Sequence, residues 1–175
     1  LLPGLTEVLQ RNLSRGFKNL KIFEAGRIFI PGERQGSASI PPLGERPSDE
    51  VLADLNAGIP EQPVYFSGLF AGAEHEQMPG TQARAYDWRD ALDAARLIAD
   101  VLGVEIVIAQ GTHQAFHPGR TAQLRTQDGQ TIGYAGELHP KLLQTENLPE
   151  RTCAFEVNFT ALFASRSGVP QASPI

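Results

Sequence analysis

The 175 residues contain one cysteine, one methionine, one tryptophan and four histidines. With Cys153 the single thiol, no disulfide can close within the chain, which excludes the cystine-stapled secreted scaffolds and suits a reducing cytoplasm. No apolar run approaches the roughly 20 residues that span a bilayer as a helix. The opening "LLPGLTEVLQRNL" lacks a basic start and a small-residue cleavage site, so no signal peptide is expected. Positive charge is the scarcer sign, with 15 Lys and Arg against 20 Asp and Glu and a net charge of −5. That balance argues against a surface given over to nucleic acid, though it leaves room for single phosphate contacts.

The apolar fraction of 41% and charged fraction of 20% are those of a globular domain, and the length suffices for one real core. The chain opens within a helical pattern and closes on "SGVPQASPI", a polar stretch with two prolines. A piece of a longer polypeptide is expected, with a module over 1–165 and a linker over 166–175.

Leu2, Leu5, Leu9 and Leu13 share one helical face, with Pro3 in the first turn and Gly16 as a stop. "NLKIFEAGRIFI" alternates as a strand up to Pro31-Gly32. Residues 31–63 read as a long Pro-, Gly- and Ser-rich loop, within which Ser48 caps a short helix, "DEVLADLNAG". "VYFSGLFAG" is a second strand, pairing with the first across that loop. "DWRDALDAARLIADVLG" is the clearest helix: Asp87 caps it, Trp88, Leu92, Ala95, Ala99 and Leu102 form its buried stripe, and Gly103 ends it.

"VEIVIAQ" is a strand by β-branching. "TAQLRT" and "QTIGYAGEL" flank Asp128-Gly129, a favoured type I′ hairpin pair. That turn sets Leu124 across from Gly133 and Ala122 across from Ala135, with Gln123 and Arg125 sharing the opposite face with Tyr134 and Ile132. Pro140 starts a helix, "TCAFEV" is a strand and "NFTALFAS" a short helix. Hairpin-joined strands with interspersed helices predict an α+β domain on an antiparallel sheet.

Each candidate for chemistry meets a simpler alternative. His113 and His117 stand at metal-binding helical spacing, but Pro118-Gly119 breaks any helix there, and no Glu or third ligand accompanies them. A type II turn centred on Pro118-Gly119 is expected instead. His139 reads as a helix cap before Pro140, His75 as a solvated loop residue, and Cys153 as a small core residue. Glu24, Glu137 and Glu156 fall in predicted strands, where convergence on a site and isolated ion pairs are both open. "GRIFIPG" is no phosphate loop, lacking the Lys-Ser/Thr ending. Arg34 and Arg46 are candidates for RNA phosphates, with a solvated face as the default. The residues alone describe an α+β module without an assembled active site.

The ordered set "LLPGLTEVLQRNLSRG", "LKIFEAGRIFIPGE", "PEQPVYFSGLFAG", "FHPGRTAQL", "IGYAGELHP" and "AFEVNFTAL" resembles the β subunit of bacterial phenylalanyl-tRNA synthetases over nearly the whole chain. The resemblance implies the catalytic-like module, a class II synthetase fold, with an editing module upstream and an anticodon-binding domain downstream. It implies ATP and Mg2+ for the whole enzyme, tRNA-Phe as its substrate, an α subunit as partner in an α2β2 tetramer, and a cytoplasmic site of action.

It also implies lost chemistry. Ile30 stands where the second motif carries its ATP-gripping arginine, and Gly32 where it carries a glutamate. Glu156, Asn158 and Ala161 replace the two glycines and the arginine of the third motif, and Gln123 replaces an acidic residue of the amino-acid pocket. An isoleucine or alanine offers no counterpart to a guanidinium fork. No catalytic, cofactor or metal residue is therefore expected here, and the Leu2, Leu5, Leu9 and Leu13 stripe, with the long helix, is the candidate contact for the α subunit. The rival reading is an active or ligand-binding ligase domain using Glu24, Arg27 and Gln123.

Overall fold

The computed structural model describes residues 1–32, 40–41, 43–76 and 78–166. Arg34, and all of the expected linker except Arg166, lie outside the described residues. The chain divides into two units, one of residues 27–63 and the other of the residues on either side.

In the larger unit, α1 (Leu2–Ser14) leads into strand β1 (Leu20–Arg27), and after the smaller unit come β2 (Val64–Ala71), β3 (Ala73–His75), β4 (Arg84–Ala85) and α3 (Trp88–Leu102). Then follow β5 (Val107–Gln110), β6 (Phe116–Arg125), β7 (Thr131–Leu138), α4 (Pro140–Thr145), β8 (Cys153–Asn158) and α5 (Phe159–Ala164). Six strands form one sheet in the order β1-β2-β8-β7-β6-β5, and β3 and β4 form a separate ribbon. The pairs β2–β8, β8–β7, β7–β6 and β6–β5 are antiparallel, so the α+β expectation holds.

Alternation along the strands sorts side chains onto two faces. On one, Phe70, Leu124, Ala135, Cys153, Phe155 and Val157 are buried with Ala91, Leu92, Ala95 and Ala99 of α3 and Leu162 of α5. Asp87 and Asp90 hold the start of α3, with Arg89 N–H donating to Asp87 at 2.7 Å and Asp87 N–H to Asp90 at 2.8 Å. Gly103 ends the helix in the left-handed region at φ 67°. Trp88 and Leu102, expected in the buried stripe, are only partly buried beside it.

On the other face α1 lies over β2. Leu2, Leu5 and Leu9 join Leu69, Ala71, Phe116, Leu138 and Ala154 in a second core, with Leu13 packed at its margin. Leu9 is fully buried. The leucine stripe that the sequence offered as a subunit contact thus faces this chain's own sheet, where each buried leucine contributes about 1.5–3 kcal/mol.

The smaller unit holds α2 (Asp49–Ala57), capped as expected by Ser48, whose hydroxyl accepts from Val51 N–H at 3.4 Å. Its two ends run alongside each other: Ile28 N–H donates to Pro63 O at 3.0 Å and Ile30 N–H to Glu61 O at 3.0 Å. No described helix is long and apolar enough to cross a membrane.

Three local expectations need correction. The turn before β6 is not at Pro118-Gly119. It closes earlier, where Phe116 N–H donates to His113 O at 3.0 Å, and Pro118-Gly119 lie inside β6. There the register slips between Phe116↔Leu138 and Thr121↔Gly136, a bulge that accommodates a proline with no N–H to give.

The β6–β7 hairpin keeps the expected pairs Ala122↔Ala135 and Leu124↔Gly133, but a second slip makes Arg125 face Thr131. Ile132 consequently joins the core with Leu124. The loop is longer than a two-residue turn: Thr126 N–H donates to Gln130 O at 2.9 Å and Gly129 N–H to Thr126 O at 3.0 Å, with Gly129 at φ 89°. Finally, His75 is not a loop residue; it ends β3, and its Nε2 lies 3.0 Å from Gln82 O.

Candidate functional site

Register builds one row of polar side chains across the sheet, on the face that carries α1. Ser67 on β2 stands opposite Glu156 on β8, Glu156 opposite Tyr134 on β7, and Tyr134 opposite Gln123 on β6. The row lies one step along the strands from the Leu69–Ala154–Gly136–Thr121 row, of which Leu69 and Ala154 belong to the core beneath α1. It includes Gln123 and Glu156, two positions at which the sequence pointed to lost chemistry.

Gln123 and Ser67 of the row already have hydrogen-bond partners within the chain. The Gln123 amide donates to Thr131 Oγ1 at 2.9 Å and to Tyr134 OH at 3.4 Å, while its oxygen accepts from Arg125 Nε at 3.1 Å. Both donors and the acceptor of that amide are therefore committed. Ser67 Oγ donates to Phe155 O at 2.8 Å. The imidazole of His113 lies 4.7 Å from the Tyr134 ring, and Glu156 Oε1 accepts from the nitrogen of Leu1 at 2.8 Å. Beside Glu156, Tyr65 has its hydroxyl pKa raised, by burial first and then by the Glu156 carboxylate, with an opposing bond to Asn158.

The other flagged residues have local duties. Ala161 N–H donates to Asn158 Oδ1 at 3.0 Å, so Asn158 caps α5. Ile30 is 41% exposed with its N–H on Glu61, and Gly32 is exposed. Arg46 is exposed, 3.9 Å from Asp49. His139 caps α4, accepting from Lys141 N–H at 3.1 Å, as its place before Pro140 predicts. His117 Nδ1 accepts from Gly119 N–H at 3.0 Å and His113 Nδ1 from Ala115 N–H at 3.2 Å. Among the described residues no group of three His, Cys, Asp or Glu is placed to hold a metal ion. Cys153 is fully buried, and burial, reinforced by Glu137, pushes its thiol up to about 12.

Glu24, Arg27 and Gln123 do not form a cluster. Glu24 lies on β1 and Gln123 on β6, four strand intervals apart in the sheet, or about 19 Å at the usual spacing. Arg27 is exposed and donates to Gln62 O at 3.2 Å within its own unit. Glu137 likewise stands apart from Glu24 and Glu156. It lies on the α3 side of β7 opposite Cys153, 3% exposed, where Arg120 Nη1 donates to its Oε2 at 2.5 Å and Arg151 Nη2 lies 3.5 Å from its Oε1.

Arg120 and Arg151 are not among the residues that the sequence marks for chemistry. The signal for Arg120 was present: carrying the Ala122–Ala135 register two steps outward sets Arg120 against Glu137, an opposite-charge cross-strand pair. No spacing indicates Arg151.

Fold and face together define an α+β domain with a helix-flanked antiparallel sheet that carries one polar row, with the Gln123 amide bonded to neighbouring side chains. Residues 1–159 match the family model described as the phenylalanyl tRNA synthetase beta chain CLM domain. The chain belongs to that family. It is similar to the phenylalanine–tRNA ligase beta subunits of Leifsonia xyli (45% identical over 166 residues, 94% of this chain and 20% of the relative) and Streptomyces avermitilis (44% over 172 residues, 97% and 21%). That of Bifidobacterium longum is 40% identical over 181 residues, covering all of this chain and 21% of the relative. The chain thus spans about a fifth of the length of these relatives.

Proposed function

We propose that this chain is a non-catalytic structural module of a phenylalanyl-tRNA synthetase β subunit, within an enzyme that attaches phenylalanine to tRNA-Phe using ATP and Mg2+ in the cytoplasm. In this reading its sheet is a class II synthetase sheet that has lost its ligands. The chain contributes fold and assembly in an α2β2 tetramer, and no bond-making. Residues 1–165 act as the module and 166–175 lead toward an anticodon-binding domain.

The observation that carries the reading is the state of Gln123. Where an amino-acid pocket would present a carboxylate to the substrate ammonium, this side chain is neutral and bonded to Thr131, Tyr134 and Arg125. Ile30 and Ala161 supply no cation at the nucleotide-gripping positions, so the phosphates of ATP would meet no guanidinium there. Leu2, Leu5, Leu9 and Leu13 serve assembly indirectly, by seating α1 on the sheet so that its outer face is presented to the α subunit.

The test is a calorimetric titration of the chain with ATP, with and without phenylalanine and Mg2+. No heat of binding that depends on phenylalanine or Mg2+ is expected. Saturable one-to-one ATP binding coupled to phenylalanine and Mg2+ would overturn the reading and return Gln123 and Glu156 to the status of ligand groups.

A further inference from the structure

Three departures from ordinary protein geometry meet at one cleft. The first is Glu137, whose Oε1 is the one buried side-chain oxygen or nitrogen without a hydrogen-bond partner among the described residues. The second and third are Asn147 (φ 47°) and Arg151 (φ 62°), the two non-glycine residues of the described chain with positive φ. All three line a cleft of about 530 Å³ formed by β6, the end of β7, and α4 with the segment after it, with Arg120 and His117 on its wall and Glu150 among its lining residues. Asn147 has a local cause, since the chain leaves α4 there and Leu148 N–H returns to Leu143 O at 2.8 Å. An arginine in the left-handed region is uncommon, and such outliers concentrate where ligands are clamped.

We propose that this cleft is a phosphate-binding site, formed by the guanidinium groups of Arg120 and Arg151 and anchored by Glu137. The carboxylate is 3% exposed and engages one arginine on each oxygen, so both cations are directed from a fixed base. Arg120 and Arg151 remain 48% and 59% exposed, and each spends at most one of its five N–H groups on Glu137. The remaining forks match the several oxygens of a tetrahedral anion. Arg151 stops at 3.5 Å, beyond hydrogen-bond length, so Glu137 draws it near by charge without using its N–H groups. Among the described residues the His117 imidazole is the one aromatic ring lining the cleft, so the two guanidinium groups dominate its chemistry and point to the phosphate as the group recognised. A backbone phosphate of RNA fits that description, because such contacts position a nucleic acid without reading its sequence. The RNA source rests on the proposed function above; the phosphate site does not.

The experiment uses the full-length polypeptide in its native assembly, with unfractionated tRNA and inorganic phosphate as probes. Arg151→Asn removes the guanidinium while tolerating the left-handed backbone, Arg151→Lys keeps the charge, and Glu150→Gln removes the acid among the lining residues. Arg151→Asn is expected to weaken tRNA binding several-fold at about 0.1 M salt and to lower the slope of log K against log salt by about 0.7–0.9, the share of one phosphate. Arg151→Lys should restore most of that slope, and Glu150→Gln should tighten binding. An unchanged tRNA slope, with inorganic phosphate binding the wild type and not Arg151→Asn, would assign the site to small phosphate compounds.

Loss of both effects, tRNA slope and phosphate binding alike indifferent to Arg151, overturns the proposal. If Arg151→Asn fails to fold, the Glu150→Gln comparison and the wild-type phosphate titration decide alone. An ATP heat coupled to phenylalanine and Mg2+ that survives in Arg151→Asn would sink the scaffold reading and leave this site standing.

Discussion

Arg84 and Asp90 meet in a two-bonded fork, Nη1 to Oδ2 at 3.0 Å and Nη2 to Oδ1 at 2.6 Å, while the same carboxylate accepts Asp87 N–H at the start of α3. One side chain thereby joins the β3–β4 ribbon to the helix that covers the sheet. Replacing Asp90 with Asn should cost about 1–3 kcal/mol, since a capping bond and a charge-assisted pair are both weakened. The shift of the urea midpoint measures it.

The same carboxylate predicts an acid response. Burial alone would raise its pKa, but the bonds from Arg84 and the Asp87 N–H outweigh that and hold it below the usual value of 3.8. A group depressed in the folded state contributes stability above its unfolded pKa and loses it as pH falls through the folded one. Stability should therefore drop below about pH 4, and less steeply in Asp90→Asn than in the wild type. Parallel unfolding curves at pH 3 and pH 6 make the comparison.

Leu9 is fully buried between α1 and the sheet. Leu9→Ala should lower the stability of this chain by itself, with no partner present, by about 2–5 kcal/mol. A thermal melt of the isolated chain is sufficient. A leucine acting only at a subunit interface would leave that melt unchanged.

Cys153 should be inert in the native protein. Its thiol sits near 12, chiefly through burial, so almost no thiolate exists at neutral pH. Iodoacetamide labelling followed by mass spectrometry should show no adduct until denaturant is added, then one.

A methyl group at Gly133 would clash with Glu156 O, across the β7–β8 contact. Gly133→Ala should force these strands apart at a cost of about 1–3 kcal/mol, visible as a lower urea midpoint with an unchanged far-ultraviolet spectrum.

Local chemistry explains which parts of the fold were legible in the sequence. The Asp87 cap and the Gly103 stop act within one turn of the helix they bound, and both are where the residues place them. The pairing of Ala122 with Ala135 follows from the position of Asp128-Gly129, although the loop built around that pair is wider than a two-residue turn. The place of β8 between β2 and β7 is invisible locally, because no pattern within "TCAFEV" names strands nearly ninety residues upstream and twenty upstream. The candidate site divides the same way. Gln123 and Tyr134 are neighbours by hairpin register, whereas Glu156 joins their row only through that long-range insertion, and Arg151 reaches Glu137 only through the backbone conformation after α4.

The insertion of β8 also sets a schedule for synthesis. β1 and β2 can pair early, and β5, β6 and β7 can form their meander, but the two groups have no shared edge until residues 153–158 arrive between them. A ribosome that has made the chain through β7 but not yet added residues 153–158 holds two half-sheets with open edges, and open edges invite pairing with other chains. Closure over so long a loop is slow relative to local pairing, which makes the stretch before Cys153 emerges the interval in which a nascent chain most needs protection.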